Sequence, residues 1–78
     1  MKFQLNGSYK AENLDQLKNF LTEIKNEYSI TSLYVNQKQL ICNFAIIKEV
    51  VIINEIIDFV FILNEKYNNC IENYEEVI

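Results

Sequence analysis

The second half of the chain carries a stripe of apolar residues at helical spacing. From Val50 to Leu63 the sequence reads VVIINEIIDFVFIL, and apolar positions then continue every three or four residues. The stripe consists of Ile53, Ile56, Val60, Leu63, Tyr67, Cys70, Tyr74 and Val77. A period of about 3.6 residues places these side chains on one face of a helix, and a strand of that length would be exceptional. The pattern therefore predicts one helix from about Lys48 to Val77.

An earlier stripe with the same spacing predicts a second helix, from Leu14 to Tyr28. Its apolar positions are Leu14, Leu17, Leu21, Ile24 and Tyr28. Asn13 is followed three residues later by Gln16, a pattern that resembles a capping box. We therefore expect this helix to begin directly after Asn13.

The first residues alternate between polar and apolar side chains. In the segment KFQLN, Phe3 and Leu5 are separated by polar residues, which is typical of a strand with one buried face. The dipeptide Asn6-Gly7 that follows is typical of a turn. We expect the strand to end there, and the Asn6-Gly7-Ser8 sequon to be a turn.

The segment ITSLYVNQKQLICNF between the two helices is interpreted as a β-hairpin. Pairing Val35 with Leu40 centres the turn on Gln37 and Lys38, and a four-residue loop over 36–39 is an equal alternative. Either choice puts the apolar residues on one face, namely Leu33, Val35, Leu40 and Cys42. Tyr34 and Ile41 then share the opposite face.

The predicted order is strand, helix, strand, strand, helix, which indicates an α+β fold. Strands joined through a helix run parallel with a right-handed crossover, so the first helix covers one face of the sheet. Only one sheet face is apolar, and the long helix must cover the same face. We expect a two-layer β-α-β-β-α sandwich with three strands in the order 1-3-2, like a ferredoxin-like fold that lacks its last strand.

The length of the chain indicates one domain, 1–78, and the placement of its charges argues against a membrane-spanning helix. A chain of 78 residues can build a single core. Asn54, Glu55 and Asp58 interrupt the apolar run, which excludes a membrane-spanning helix. Residues 1–10 contain no apolar signal segment. We therefore expect a cytoplasmic protein.

The residue types argue against catalysis and against nucleic acid as a direct partner. Histidine is absent, and Cys42 and Cys70 lack the spacing of a zinc or redox motif. We therefore expect a non-enzymatic protein with no catalytic residues, no cofactor and no metal site. The net charge is −4 and arginine is absent, which disfavours binding to DNA, RNA or an anionic membrane.

Three surfaces remain as candidates for contact with a protein partner. The first is an acidic line on the predicted long helix, suited to a partner with a basic surface, and it consists of Asp58, Glu65, Glu72 and Glu76. The second is the outer sheet face around Tyr34 and Ile41. The third is the set Val50, Ile57 and Phe61, which either packs against the first helix or forms an association surface. For the first two surfaces the alternative interpretation is an ordinary solvated face.

These observations predict a small acidic binding protein that regulates or inhibits a larger protein. Eleven asparagines and twelve isoleucines are typical of an AT-rich genome. Small acidic proteins of this kind are frequent among phage and mobile-element inhibitors of host defence, including anti-CRISPR proteins. The alternative function is a structural or assembly subunit that forms a homodimer.

Overall fold

The computed structural model describes residues 1–77, whose elements follow one another as strand, helix, strand, strand, helix, strand. They are β1 (Lys2–Lys10), α1 (Leu14–Glu27), β2 (Ser29–Asn36), β3 (Ile41–Glu49), α2 (Ile53–Lys66) and β4 (Ile71–Glu76). The four strands form one sheet in the order β2-β3-β1-β4, and every neighbouring pair is antiparallel. This is the ferredoxin-like arrangement with its last strand present.

The α+β class is therefore confirmed, whereas the predicted sheet of three strands in the order 1-3-2 is incomplete, because the sheet has four strands in the order 2-3-1-4. A fourth strand, β4, pairs with β1 at the sheet edge. Within the larger sheet β1 and β2 are both antiparallel to β3 and therefore parallel to each other, as predicted for two strands joined through a helix. The error lies entirely in the assignment of the segment after Lys66.

The predicted helix from Lys48 to Val77 is wrong at both ends. β3 continues to Glu49, so α2 begins only at Ile53. At the other end Asn68 and Asn69 adopt left-handed φ angles of 54° and 60°. Asparagine tolerates this conformation, which terminates a helix. The N–H of Asn69 donates to the carbonyl of Asn64 at 2.8 Å, the long hydrogen bond of a Schellman-type cap.

The apolar stripe persists past α2 because the chain returns to the same core as a strand. Cys70 and Ile71 are buried, and the Ile71 N–H donates to Asn64 Oδ1 at 2.8 Å. Within the stripe Ile56, Leu63 and Cys70 are buried, while Ile53, Tyr74 and Val77 are exposed. A helix and a following strand thus reproduced the spacing of one long helix.

The first helix forms as predicted. Asn13 is the N-cap, and its Oδ1 accepts from the Gln16 N–H at 2.9 Å. The Gln16 side chain accepts from the N–H of Glu12 at 2.9 Å, so the return bond of the capping box falls one residue earlier than in the standard motif. Tyr28 is the C-cap, one residue beyond the last helical position.

The first strand does not end at Asn6-Gly7, and the predicted turn there is wrong. β1 runs through Gly7 to Lys10, with Gly7 opposite Phe44 on β3 and Ile71 on β4. A Cβ atom at this position would lie 2.4 Å from the Cys70 carbonyl oxygen and 2.5 Å from the Phe44 ring. The glycine is required for this close approach rather than for a turn.

The hairpin is present, but its register is displaced by two residues. Val35 lies opposite Cys42 rather than Leu40, and the connecting loop spans 37–40. Leu40 adopts a φ of 59° at the end of that loop. Because side chains alternate with a period of two, a shift of two residues leaves every side chain on its predicted face.

One hydrophobic cluster joins the two helices to a single face of the sheet. Its buried members on the helices include Leu17, Phe20, Ile24, Ile56 and Leu63, and those on the central strands include Phe3, Leu5, Cys42, Phe44 and Ile46. Phe20 stacks on Tyr9 with ring centroids 4.2 Å apart. Neither helix within residues 1–77 has the length and apolarity that a bilayer-spanning helix needs.

Candidate interaction surfaces

The four predicted acidic residues do not form one line. Asp58 and Glu65 lie on the exposed side of α2, two helical turns apart. Glu72 and Glu76 lie on β4, because the helix ends before them. The prediction that all four residues line one helix face is therefore wrong. Asp58 and Glu65 lie together on α2, and Glu72 and Glu76 lie on a different element.

Tyr34 and Ile41 lie on the outer face of the sheet, as predicted. Tyr34 is 61% exposed and faces Asn43, while Ile41 is partly buried and faces Asn36. They are diagonal neighbours rather than a directly opposed pair, which follows from the displaced register. Tyr34 is thus the more accessible of the two.

Next to Tyr34 the outer face contains an open depression of about 550 Å³. Its floor is shallow because Gly7 and Ala45 have little or no side chain, and its walls are mainly amides and hydroxyls. Asn6 Nδ2 donates to Asn73 Oδ1 at 2.8 Å, so part of this polar surface is already paired. Glu72 is the one ionisable residue among the lining residues. A lone carboxylate among neutral groups supports hydrogen bonding but not paired acid–base chemistry.

α2 exposes a row of apolar side chains on the flank that faces away from α1. Ile53, Ile57 and Phe61 are spaced four residues apart and form one ridge along the helix, here called the α2 ridge. α1 contacts the other flank of α2, where Tyr28 meets Phe59 with ring centroids 5.6 Å apart.

A second α1 contact, the ion pair between Glu23 and Lys66, lies on the same flank as Phe59. At about 100° per residue, Ile57 and Phe61 point away from this flank. The alternative that they pack against the first helix is therefore wrong. Val50 is separate from them, because it is buried and its backbone pairs with that of Met1.

Apolar exposure is concentrated around this helix. Six of the eleven large apolar side chains that are exposed within residues 1–77 fall between Val51 and Ile62, and they are Val51, Ile52, Ile53, Ile57, Phe61 and Ile62. Sequence reasoning had placed Ile53 in the core and missed Val51, Ile52 and Ile62 as surface residues. The available signal was the composition of the run, which has more apolar positions than one buried helix face can use.

Carboxylates border the α2 ridge. Glu65 follows Phe61 by four residues and so continues the ridge, and Asp58 lies in the next row of the helix surface. α2 contacts β4, the edge strand on the flank away from α1, and β4 carries Glu72, Glu75 and Glu76. The ridge is therefore an apolar strip bordered by Asp58 and Glu65, and of the β4 acids only Glu76 is on the helix side of the sheet.

Both cysteines are in the hydrophobic core and are unsuited to nucleophilic chemistry at neutral pH. Burial raises the pKa of the Cys42 thiol to about 11 and that of the Cys70 thiol to about 11. Cys70 Sγ lies 3.7 Å from the Leu63 carbonyl oxygen, within reach of a weak S–H hydrogen bond. Within residues 1–77 no group of three or more His, Cys, Asp or Glu residues is placed to hold a metal ion.

We expect both thiols to react slowly with a disulfide reagent in the folded protein. At about pH 8 a thiol with this raised pKa is almost fully protonated, and the reactive species is the thiolate. Labelling followed by absorbance should be slow without denaturant and complete within the mixing time in concentrated urea. Rapid labelling of the native protein would contradict the buried placement of Cys42 and Cys70.

Comparisons with known proteins identify no family for this chain. It matches no protein-family model, no curated protein and no solved structure.

Proposed function

We propose that this chain is a non-enzymatic protein-binding module that docks on a larger protein through the α2 ridge and thereby regulates or blocks it. The supporting observation is the row of exposed apolar side chains formed by Ile53, Ile57 and Phe61 along α2. Small monomeric domains rarely expose contiguous apolar surface beyond a few hundred Å², and such patches usually mark contact sites. The ridge lies on a regular helix, which holds its side chains in a fixed geometry.

The surroundings of the ridge define the chemistry of the partner. Protein interfaces typically have an apolar centre and a polar rim. Here the centre is Ile57 and Phe61, and the rim includes Asp58 and Glu65. A matching partner surface has an apolar groove with lysine or arginine on its borders. The net charge of −4 would also attract such a partner before contact.

The biological setting of this proposal is inhibition of a host protein in the cytoplasm. Small size, acidity and the asparagine- and isoleucine-rich composition support a phage or mobile-element inhibitor of host defence, of the anti-CRISPR kind. The outer face around Tyr34 and Ile41 is not required for binding under this proposal.

Reversing the polarity of the ridge is expected to abolish partner capture. Ile57→Asp places a carboxylate at the centre of the apolar strip and should reduce affinity by at least about tenfold, as loss of a central anchor does. Ile62→Asp is the matched control, because it makes the same change on the same helix at a side chain that is also exposed but points away from the ridge. The measurement is capture of host proteins on each immobilised variant, compared by mass spectrometry.

The outcome that supports the proposal is a protein captured by the native chain and by Ile62→Asp but lost with Ile57→Asp. Its capture should also weaken when salt is raised from roughly 50 to 500 mM, because exposed charges are screened at that ionic strength. Equal capture by all three chains would contradict docking through the α2 ridge. Loss only with Tyr34→Ala and Ile41→Ala would transfer the binding surface to the outer sheet face.

A further inference from the structure

The two edges of the sheet differ in charge. β4 forms one edge and carries Glu72, Glu75 and Glu76 within six residues. β2 forms the other edge, and its eight residues, SITSLYVN, include no lysine, aspartate or glutamate. Charged side chains on an edge strand oppose pairing with further strands. β4 therefore has this protection and β2 lacks it.

The second half of β2 is a regular strand with a free edge. Its pairing with β3 is irregular between Ile30 and Ser32 and regular from Ser32 to Asn36. In the regular part Leu33 and Val35 point towards the core, opposite Phe44 and Cys42. Tyr34 points to the outer face and is 61% exposed. An aromatic residue thus lies at the centre of an uncharged, unpaired strand segment.

We propose that β2 pairs with β2 of a second copy of this chain, antiparallel and centred on Tyr34. In this register the two Tyr34 side chains face each other across a two-fold axis. Leu33 lies opposite Val35 of the other copy on the core side, and Ser32 lies opposite Asn36 on the outer side. Directly opposed residues in antiparallel strands share a face, and every pair in this register satisfies that requirement.

The segment fits a second copy because its pattern is self-complementary. A two-fold interface brings the same patch of both subunits together, and the residues on either side of Tyr34 match in polarity. The acids of β4 lie at the opposite edge, beyond β3 and β1, so this arrangement keeps them apart. Pairing through β4 would instead bring like charges together, which is destabilising. A basic peptide would find no opposite charge on β2.

This dimer would leave the α2 ridge free. α1 is on the β2 side of the sheet and α2 on the β4 side, so the two ridges would lie at the outer ends of a continuous eight-stranded sheet. The dimer contact and the proposed partner contact therefore use different surfaces of the molecule. It also gives Tyr34 a role that the α2 ridge does not supply.

A cysteine placed on the two-fold axis tests the register directly. Opposed Cβ atoms in antiparallel strands are about 4.5 to 5.5 Å apart, close enough for a disulfide after a small adjustment. Tyr34→Cys should form a covalent dimer under mild oxidation. Asn36→Cys is the control, since the two copies of residue 36 would be four residues apart along the strands, about 13 Å. The native cysteines are buried and should not interfere.

Solution mass provides the second measurement. By light scattering at about 200 µM, the native chain should have twice its monomer mass of 9.3 kDa. Tyr34→Lys should give the monomer mass, because it opposes two lysines on the axis. Phe61→Lys, which changes an equally exposed aromatic residue on α2, should keep the dimer mass.

Three results would overturn the inference. A monomeric native chain at that concentration would exclude a β2 dimer of useful affinity. A dimer lost with Phe61→Lys but kept with Tyr34→Lys would place self-association on the α2 ridge. Equal cross-linking through Asn36→Cys and Tyr34→Cys would exclude the register centred on Tyr34. Circular dichroism on each variant establishes that the compared chains are folded.

Discussion

Truncation of Leu63 to alanine is expected to lower the free energy of unfolding by about 2 to 5 kcal/mol. Leu63 lies on the core-facing side of α2 and is only 1% exposed, whereas its neighbour Ile62 is 60% exposed. Removing the Leu63 side chain loses buried apolar surface and leaves a cavity between the helix and the sheet. The same truncation at Ile62 removes atoms that are already largely in water.

The pair Leu63→Ala and Ile62→Ala therefore separates core from surface with adjacent residues on one helix. Ile62→Ala should change stability by no more than about 0.5 kcal/mol. A chain of this size has a total stability of roughly 4 to 12 kcal/mol, so loss of Leu63 removes a large share of it. Urea titration of both variants gives the comparison. Equal losses would contradict the orientation of α2.

Replacing Gly7 with alanine is expected to cost about 1 to 3 kcal/mol, even though alanine has the better intrinsic strand preference. The added Cβ atom would lie 2.4 Å from the Cys70 carbonyl oxygen and 2.5 Å from the Phe44 ring. The aromatic ring can rotate away, but the carbonyl belongs to the backbone and accepts from the Ser8 N–H at 2.8 Å. Relief of the clash would therefore weaken the attachment of β4 to β1.

A second substitution distinguishes the two sources of this clash. Gly7→Ala combined with Phe44→Leu removes the ring contact but not the contact with the Cys70 carbonyl. If the backbone contact dominates, Gly7→Ala should cost as much stability in the Phe44→Leu chain as it does in the native chain. Ser8→Ala, at the next position of β1, serves as the control for an alanine in this strand. A Gly7→Ala chain as stable as the native chain in urea would contradict the close approach.

Features governed by neighbouring residues were predictable from the sequence. The start of α1 follows from Asn13, because an asparagine side chain at the N-cap accepts a hydrogen bond from a backbone N–H two or three residues later in the chain. The facing of Tyr34 and Ile41 follows from the two-residue alternation of strands and survived an error in register. The prediction of one long helix overlooked Asn68 and Asn69, whose left-handed conformation ends α2.

The α2 ridge could be predicted only in part, because its exposure depends on where α1 packs against α2. Spacing shows that Ile57 and Phe61 share a flank of a helix, and it placed them outside the main buried stripe. It does not show which flank α1 covers, because that depends on how the helices cross above the sheet. Glu72 and Glu76 were predicted on a helix face because the apolar stripe predicted a helix in the segment that forms β4.

The sequence by itself determined the α+β class, the capped first helix, the hairpin and the side-chain faces of its strands, because each depends on periodicity or capping within a few residues. The tertiary structure decided the rest. It paired β4 with β1, carried β1 through Gly7 where a Cβ atom has no room, and turned Ile53, Ile57 and Phe61 outward. These outcomes depend on contacts between segments distant in the chain, since Gly7 meets Cys70 and Phe44 only after the sheet has formed. Local pattern specifies which face of an element is apolar, whereas packing specifies what covers that face and what is left open to a partner.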